Sequence, residues 1–138
     1  MIQPGVVLFH KQFAFHDGNA ADKFLVVLAV APAYLVVAKT TSQGKRYRID
    51  HGCQAGSRFA AFLLTRNCCF LVKNTWVCLT EFYELSNQSL HSKMVAGEVY
   101  KAGHLSNLLT RDVQVCAAQC DDISQSQEAL MRACFVNP

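Results

Sequence analysis

Phe24-Leu25-Val26-Val27-Leu28-Ala29-Val30-Ala31-Pro32-Ala33-Tyr34-Leu35-Val36-Val37-Ala38 runs fifteen residues without a charge, between Lys23 and Lys39. A helix crossing a bilayer needs about 20 apolar residues, and Pro32 interrupts this run near its middle. Proline has no amide hydrogen to donate in a sheet centre, and it suits a turn. The run therefore divides into two strands, Phe24–Ala31 and Tyr34–Thr40, each apolar at successive positions. A strand apolar on both faces is covered on both faces. These are two buried strands.

Before this pair, Val6–Phe15 carries Val, Phe and Leu with polar interruptions, and the turn residues His16-Asp17-Gly18-Asn19 follow it. On the other side come the polar stretch Thr41–Gly44 and a short strand expected at Tyr47–Ile49. Phe59–Leu64, Cys68–Val72 and Trp76–Phe82 are further runs of strand length, broken by Arg66-Asn67 and Lys73-Asn74. Short strands at even spacing predict a small barrel or a strongly bent sheet. Past residue 104 the period changes. Leu105, Leu108, Leu109, Asp112, Val113, Cys116, Ala117 and Cys120 fall at helical spacing, and all but Asp112 are apolar or small. Gly103 and Asp121-Asp122 bound this helix. A second helix starts near Ser124, where Ser124-Gln125-Ser126-Gln127 has the spacing of a capping box, and runs through Ala129, Leu130 and Ala133. The expected fold is mainly β with α: a small barrel of short strands followed by two C-terminal helices. It fills one domain, with the β body over about residues 4–100 and the helical part over about residues 104–136.

The chain has 138 residues, the size of one ordinary domain. Hydrophobic residues make up 51% and charged ones 17%, a balance that excludes an intrinsically disordered protein. The hydrophobic excess leaves room for a self-association face. Met1-Ile2-Gln3-Pro4 does not open a basic, then apolar, secretory leader. The expectation is a cytoplasmic protein whose seven cysteines are reduced and pack as small hydrophobes.

The net charge of +3 hides an uneven distribution. Residues 39–73 carry Lys39, Lys45, Arg46, Arg48, Arg58, Arg66 and Lys73 against Asp50 alone, a net of +6, while residues 74–138 carry a net of −3. Tyr47, His51 and Phe59 lie within the basic segment. Cations interleaved with flat rings are what single-stranded nucleic acid requires, because phosphates attract cations and bases stack on rings. A solvated hairpin with scattered charges is the plain alternative.

Other chemistry has weaker support. Cys116 and Cys120 share one helical face, but no matching second pair completes a zinc site. Cys68 and Cys69 fall on an expected strand, where adjacent side chains point to opposite faces. The chain contains no Gly-rich phosphate loop, no Gly-x-Ser-x-Gly elbow and no His-Glu-x-x-His motif. Its carboxylates cluster in the last third, which disfavours a two-carboxylate hydrolase. Thr40-Thr41-Ser42-Gln43, at the end of a buried strand, offers hydroxyls and an amide that can hold a phosphate or ribose.

The order Gly5–Phe15, then Asp17-Gly18, then Lys23-Phe24-Leu25-Val26-Val27-Leu28, then Leu35-Val36-Val37 leading into Thr40-Thr41-Ser42-Gln43 resembles the MazF/PemK-like toxin endoribonucleases. The resemblance covers about residues 4–43, with a looser match at Asn74–Leu79. It implies an SH3-like, CcdB-like barrel, dimeric, that cleaves single-stranded RNA by turning the 2′-hydroxyl on the adjacent phosphate. That step uses no metal or other cofactor, and a cognate antitoxin would hold the enzyme in check. It carries the catalytic roles to Lys23 and Thr41, with Ser42 and Gln43 beside them. The family has Arg-Pro where this chain has Lys23-Phe24, and lysine is a point charge without the bidentate fork of arginine. His16, Arg46, Arg48 and His51 are the residues expected to supply further substrate contacts. Two other readings stand beside this one. One is a non-catalytic module on the same barrel, binding nucleic acid or a protein partner. The other is a cysteine-dependent or zinc protein.

Overall fold

Pro32 sits in the bend between two long strands, as its missing amide requires. The computed structural model describes residues 2–138. Seven strands and three helices follow in the order β1 (Val6–Ala14), β2 (Ala20–Val30), β3 (Tyr34–Thr41), β4 (Ala61–Leu64), β5 (Thr75–Cys78), β6 (Tyr83–Ser86), α1 (Asn87–Val95), β7 (Val99–His104), α2 (Asn107–Ala118) and α3 (Gln125–Ala133). The Ala31 amide donates to the Tyr34 carbonyl at 2.9 Å and closes the β2–β3 hairpin.

The strands form one antiparallel sheet in the order β4-β5-β3-β2-β1-β7, with β6 also on β3. The outer edge of β3 is divided: β6 pairs with Tyr34–Val37, and β5 pairs with Thr40 and Thr41. The central strands are covered on both faces, as their composition requires. Val26, Leu28, Val36 and Ala38 face a core completed by Val113, Cys116 and Ala117 of α2 and Met131 of α3. Leu25, Val27, Leu35 and Val37 face a second core with Tyr83, Leu90 of α1 and Val99. Strand alternation sends neighbouring residues to opposite faces, so two cores together demand an unbroken apolar run.

The fold class is as expected, mainly β with C-terminal helices, but the sheet is open and not closed into a barrel. Its end strands β4 and β7 do not pair with each other. Two runs that would have helped to complete a ring are loops. At Tyr47–Ile49, the Gln54 side chain accepts from the Arg48 amide at 3.1 Å and donates to the Arg48 carbonyl at 2.8 Å, while Trp76 Nε1 donates to that same carbonyl at 3.0 Å. Side chains thus occupy the backbone groups that a strand neighbour would use. At Cys68–Val72, Asn67 adopts φ +67° and turns the chain back. The run Trp76–Phe82 is split between β5 and the approach to β6, because these two strands sit at different heights on the same edge of β3.

The expected β body also contains a helix, α1, and an edge strand, β7, which periodicity does not reveal. Only Leu90 is buried in α1 and only Val99 in β7. Helix α3 starts at the Ser124 cap as expected, whereas α2 is shorter than the span between Gly103 and Asp121 and leaves Leu105 and Cys120 outside it. The Ser106 side chain accepts from the Leu109 amide, and Ser124 with Gln127 forms a reciprocal capping box.

The cysteines depart from the expectation of seven reduced thiols. Cys53, in the loop after β3, is bonded to Cys116 of α2, with Cα atoms 5.6 Å apart. A separation of 63 residues left no local sign of this pairing. Cys68, Cys69, Cys78, Cys120 and Cys134 are free, and of these Cys78 and Cys120 are buried as core filler. No helix among the described residues is long and apolar enough to cross a membrane.

Candidate nucleic-acid interface

The β2–β3 register sets the geometry of the basic region. Leu25 pairs with Lys39, and extending that antiparallel register by two residues sets Lys23 on β2 opposite Thr41 on β3. Odd-numbered residues of β2 alternate onto one face, so Lys23, Lys39 and Thr41 emerge together at one end of the sheet, beyond the Leu25 and Val27 core. An open groove of about 350 Å³ lies there, lined by Lys23, Lys39, Thr41, Gln43 and Arg46. Thr40 alternates away, and its hydroxyl donates to the Phe24 carbonyl at 2.9 Å. A second groove of about 380 Å³ shares Lys23 and Thr41 and adds Ser42, Lys73 and Phe9.

The cations are held in place by their neighbours. Lys39 Nζ lies 4.3 Å from the centre of the Phe15 ring and 3.0 Å from Glu81 Oε1. Lys23 Nζ lies 5.9 Å from the same ring. The Arg46 guanidinium stacks 4.6 Å over Phe59. Burial holds the Lys23 ammonium below its ordinary range, and the Lys39 charge pushes the same way.

The floor of the groove is aromatic and sulfur-bearing. Tyr47 stacks on Trp76 with centroids 5.8 Å apart and an angle of 20°, and its hydroxyl contacts Cys78 Sγ at 3.7 Å. Burial pushes the Tyr47 phenol up to about 12 and also raises the Cys78 thiol, so both stay neutral at ordinary pH. The Gln43 amide donates to Thr41 Oγ1 at 3.1 Å. That bond uses a lone pair of the hydroxyl and leaves its hydrogen available to a ligand.

Of the eight residues singled out from the sequence, Lys23, Thr41, Gln43 and Arg46 line one groove, and Ser42 lines its neighbour. The other three stand apart. Arg48 is turned to Asp50, donating at 2.9 and 2.8 Å. This pair draws the exposed Asp50 carboxyl down to about 2. His51 lies 3.4 Å from the same carboxylate. His16 stacks on Tyr83 at 4.0 Å, with its Nε2 3.2 Å from the Phe82 carbonyl oxygen. Lys39, Lys45 and Tyr47 of the basic segment also line the groove, with Thr40 and with Cys78, which the sequence did not point to. Among the described residues no three His, Cys, Asp or Glu side chains converge as a metal ion requires.

No protein-family model matches this chain. No curated protein matches it in sequence either.

Proposed function

We propose that this groove binds single-stranded RNA and cleaves it without a metal, as the MazF/PemK-like toxins do. The observation that carries the proposal is the convergence of Lys23, Lys39, Thr41 and Arg46 on one groove. Neutral Lys23 takes the proton of a ribose 2′-hydroxyl, and the freed oxygen attacks the adjacent phosphorus. The bond to the 5′-oxygen breaks, leaving a 2′,3′-cyclic phosphate and a 5′-hydroxyl that collects a proton. Charge gained by the phosphate oxygens is met by Arg46, Lys39 and the Thr41 hydroxyl, donors already fixed by stacking and turn geometry. Gln43 and Ser42 contact the flanking nucleotides. No cofactor enters the step.

The same proposal includes a homodimer, an antitoxin whose acidic segment covers the groove, and a cytoplasmic location where RNA is available. A reducing cytoplasm acts against the Cys53–Cys116 bond. The second reading is a groove that binds nucleic acid or a protein without cleavage. The Lys39–Glu81 pair favours it, because that contact partly neutralises one of the phosphate-facing cations.

Incubating the protein with a mixed RNA pool in EDTA separates the two readings. Cleavage that disappears in K23A and T41A supports the nuclease. Intact RNA with binding that weakens steeply as salt rises moves the assignment to the binding module, since phosphate contacts release counterions. Cleavage that survives both substitutions, or no binding at low salt, overturns the site.

A further inference from the structure

Cys68 and Cys69 do not point to opposite faces, because they lie in a loop and not in a strand. Asn67 at φ +67° reverses the chain. The Cys68 amide donates to the Thr65 carbonyl at 3.0 Å, and the Asn67 amide donates to the Leu71 carbonyl at 3.1 Å. The Arg66 amide donates to Asn74 Oδ1 at 2.8 Å and closes the base of the loop. Inside this loop both sulfurs turn the same way, and Cys68 Sγ lies 3.2 Å from Cys69 Sγ. Cys68 is exposed, Cys69 is half-buried, and both are free.

A pair so placed is poor material for a disulfide. Adjacent residues hold their Cα atoms about 3.8 Å apart, short of the roughly 4.4 Å at which disulfides begin. It is equally poor for zinc, which takes four ligands, since no third metal-binding side chain joins a cluster among the described residues. Two soft donors at this bite suit a centre that needs two sulfurs and no more. A trivalent arsenic that already carries one organic group is such a centre.

We propose that Cys68 and Cys69 form a bidentate site for a thiophilic, trivalent organoarsenical. In the binding step two S–H groups meet R–As=O. Two As–S bonds form, the As=O bond breaks, and the oxygen leaves as water with both thiol protons. Arsenic stays trivalent and nothing is oxidised. Past Phe70, the same segment continues into the second groove, which Leu71, Val72 and Lys73 line together with Thr41 and Ser42. The assignment does not rest on RNA cleavage.

Phenylarsine oxide is the probe, added at one equivalent to the full chain with Cys53–Cys116 intact. Native mass spectrometry should show one phenylarsenic bound with loss of two hydrogens, and thiols titrated after denaturation should fall from five to three. An excess of a small dithiol should remove the adduct and a monothiol should not. C68S and C69S should each lose it, and C134S should keep it, with circular dichroism confirming that all three fold. No adduct on the wild type, an adduct that persists in C68S or C69S, or release by a monothiol overturns the proposal.

Discussion

Breaking the Cys53–Cys116 bond should lower the stability of this protein by an amount the fold allows to be worked out. The bond closes a loop across 63 residues. In the chain-entropy model a loop of that length removes about 14 cal/mol/K from the unfolded ensemble, or about 4 kcal/mol at 25 °C. Other bonds hold the folded loop near its place. Gln54 makes three bonds to the backbone around it, and Trp76 Nε1 makes a fourth. Most of the loss should therefore come from a freer unfolded chain. A chain of this length unfolds with an entropy of about 290 cal/mol/K, so the melting temperature should fall by roughly 10–15 °C. The assay is thermal unfolding followed by circular dichroism, with and without a phosphine reductant, and again for C53A. Thiol titration should give five free thiols before reduction and seven after. A shift below about 3 °C with all seven thiols free would refute the reasoning, because the entropy term would then be absent.

Three further outcomes follow from particular contacts. Gln114 is fully buried in α2, donates to the Leu28 and Cys134 carbonyls at 2.9 and 2.8 Å, and accepts from the Val136 amide at 2.9 Å. Q114L strands these groups and should cost about 2–4 kcal/mol in urea unfolding, with faster amide exchange at Val136; a loss under about 0.5 kcal/mol contradicts this. A Cβ at Gly44 would collide with the Trp76 ring, so G44A should cost about 1–3 kcal/mol and shift the emission of the single tryptophan. Unchanged emission and stability would show that the ring yields freely. Because burial lowers the Lys23 pKa, its neutral form gains population at lower pH than an ordinary lysine allows. RNA cleavage should rise with pH and level off below the usual lysine range, while K23R, which stays charged, should show no such rise. A wild-type rate that does not depend on pH counts against Lys23 as the base.

The parts of the fold legible in the sequence are those whose cause is local or periodic. Leu25–Leu28 and Leu35–Ala38 are apolar at every position because two cores use them, and Pro32 marks the bend between them. The stripe through Val113, Cys116 and Ala117 and the Ser124–Gln127 box give α2 and α3 for the same kind of reason. Helix α1 escapes notice because it buries Leu90 alone. The Tyr47–Ile49 and Cys68–Val72 runs have strand composition, but Gln54, Trp76 and the backbone of Asn67 decide their path from a distance. The candidate site divides in the same way. Lys23 and Thr41 line one groove because strand alternation and the Leu25–Lys39 register bring their side chains to the same face. Arg48 and His51 turn instead to Asp50, a neighbour whose pull composition alone does not rank. Cys53 and Cys116 are joined by tertiary structure, without any motif.

In the proposed reaction Lys23 and Thr41 turn a ribose 2′-hydroxyl on its own phosphate. The most direct measurement incubates the protein in EDTA with one oligoribonucleotide and with its fully 2′-deoxy counterpart, and then examines the ends produced. The expected result is cleavage of the ribonucleotide alone, leaving 2′,3′-cyclic phosphate ends, with both K23A and T41A inactive. Equal cleavage of the deoxy strand, or an intact ribonucleotide beside a folded, RNA-bound protein, would contradict it.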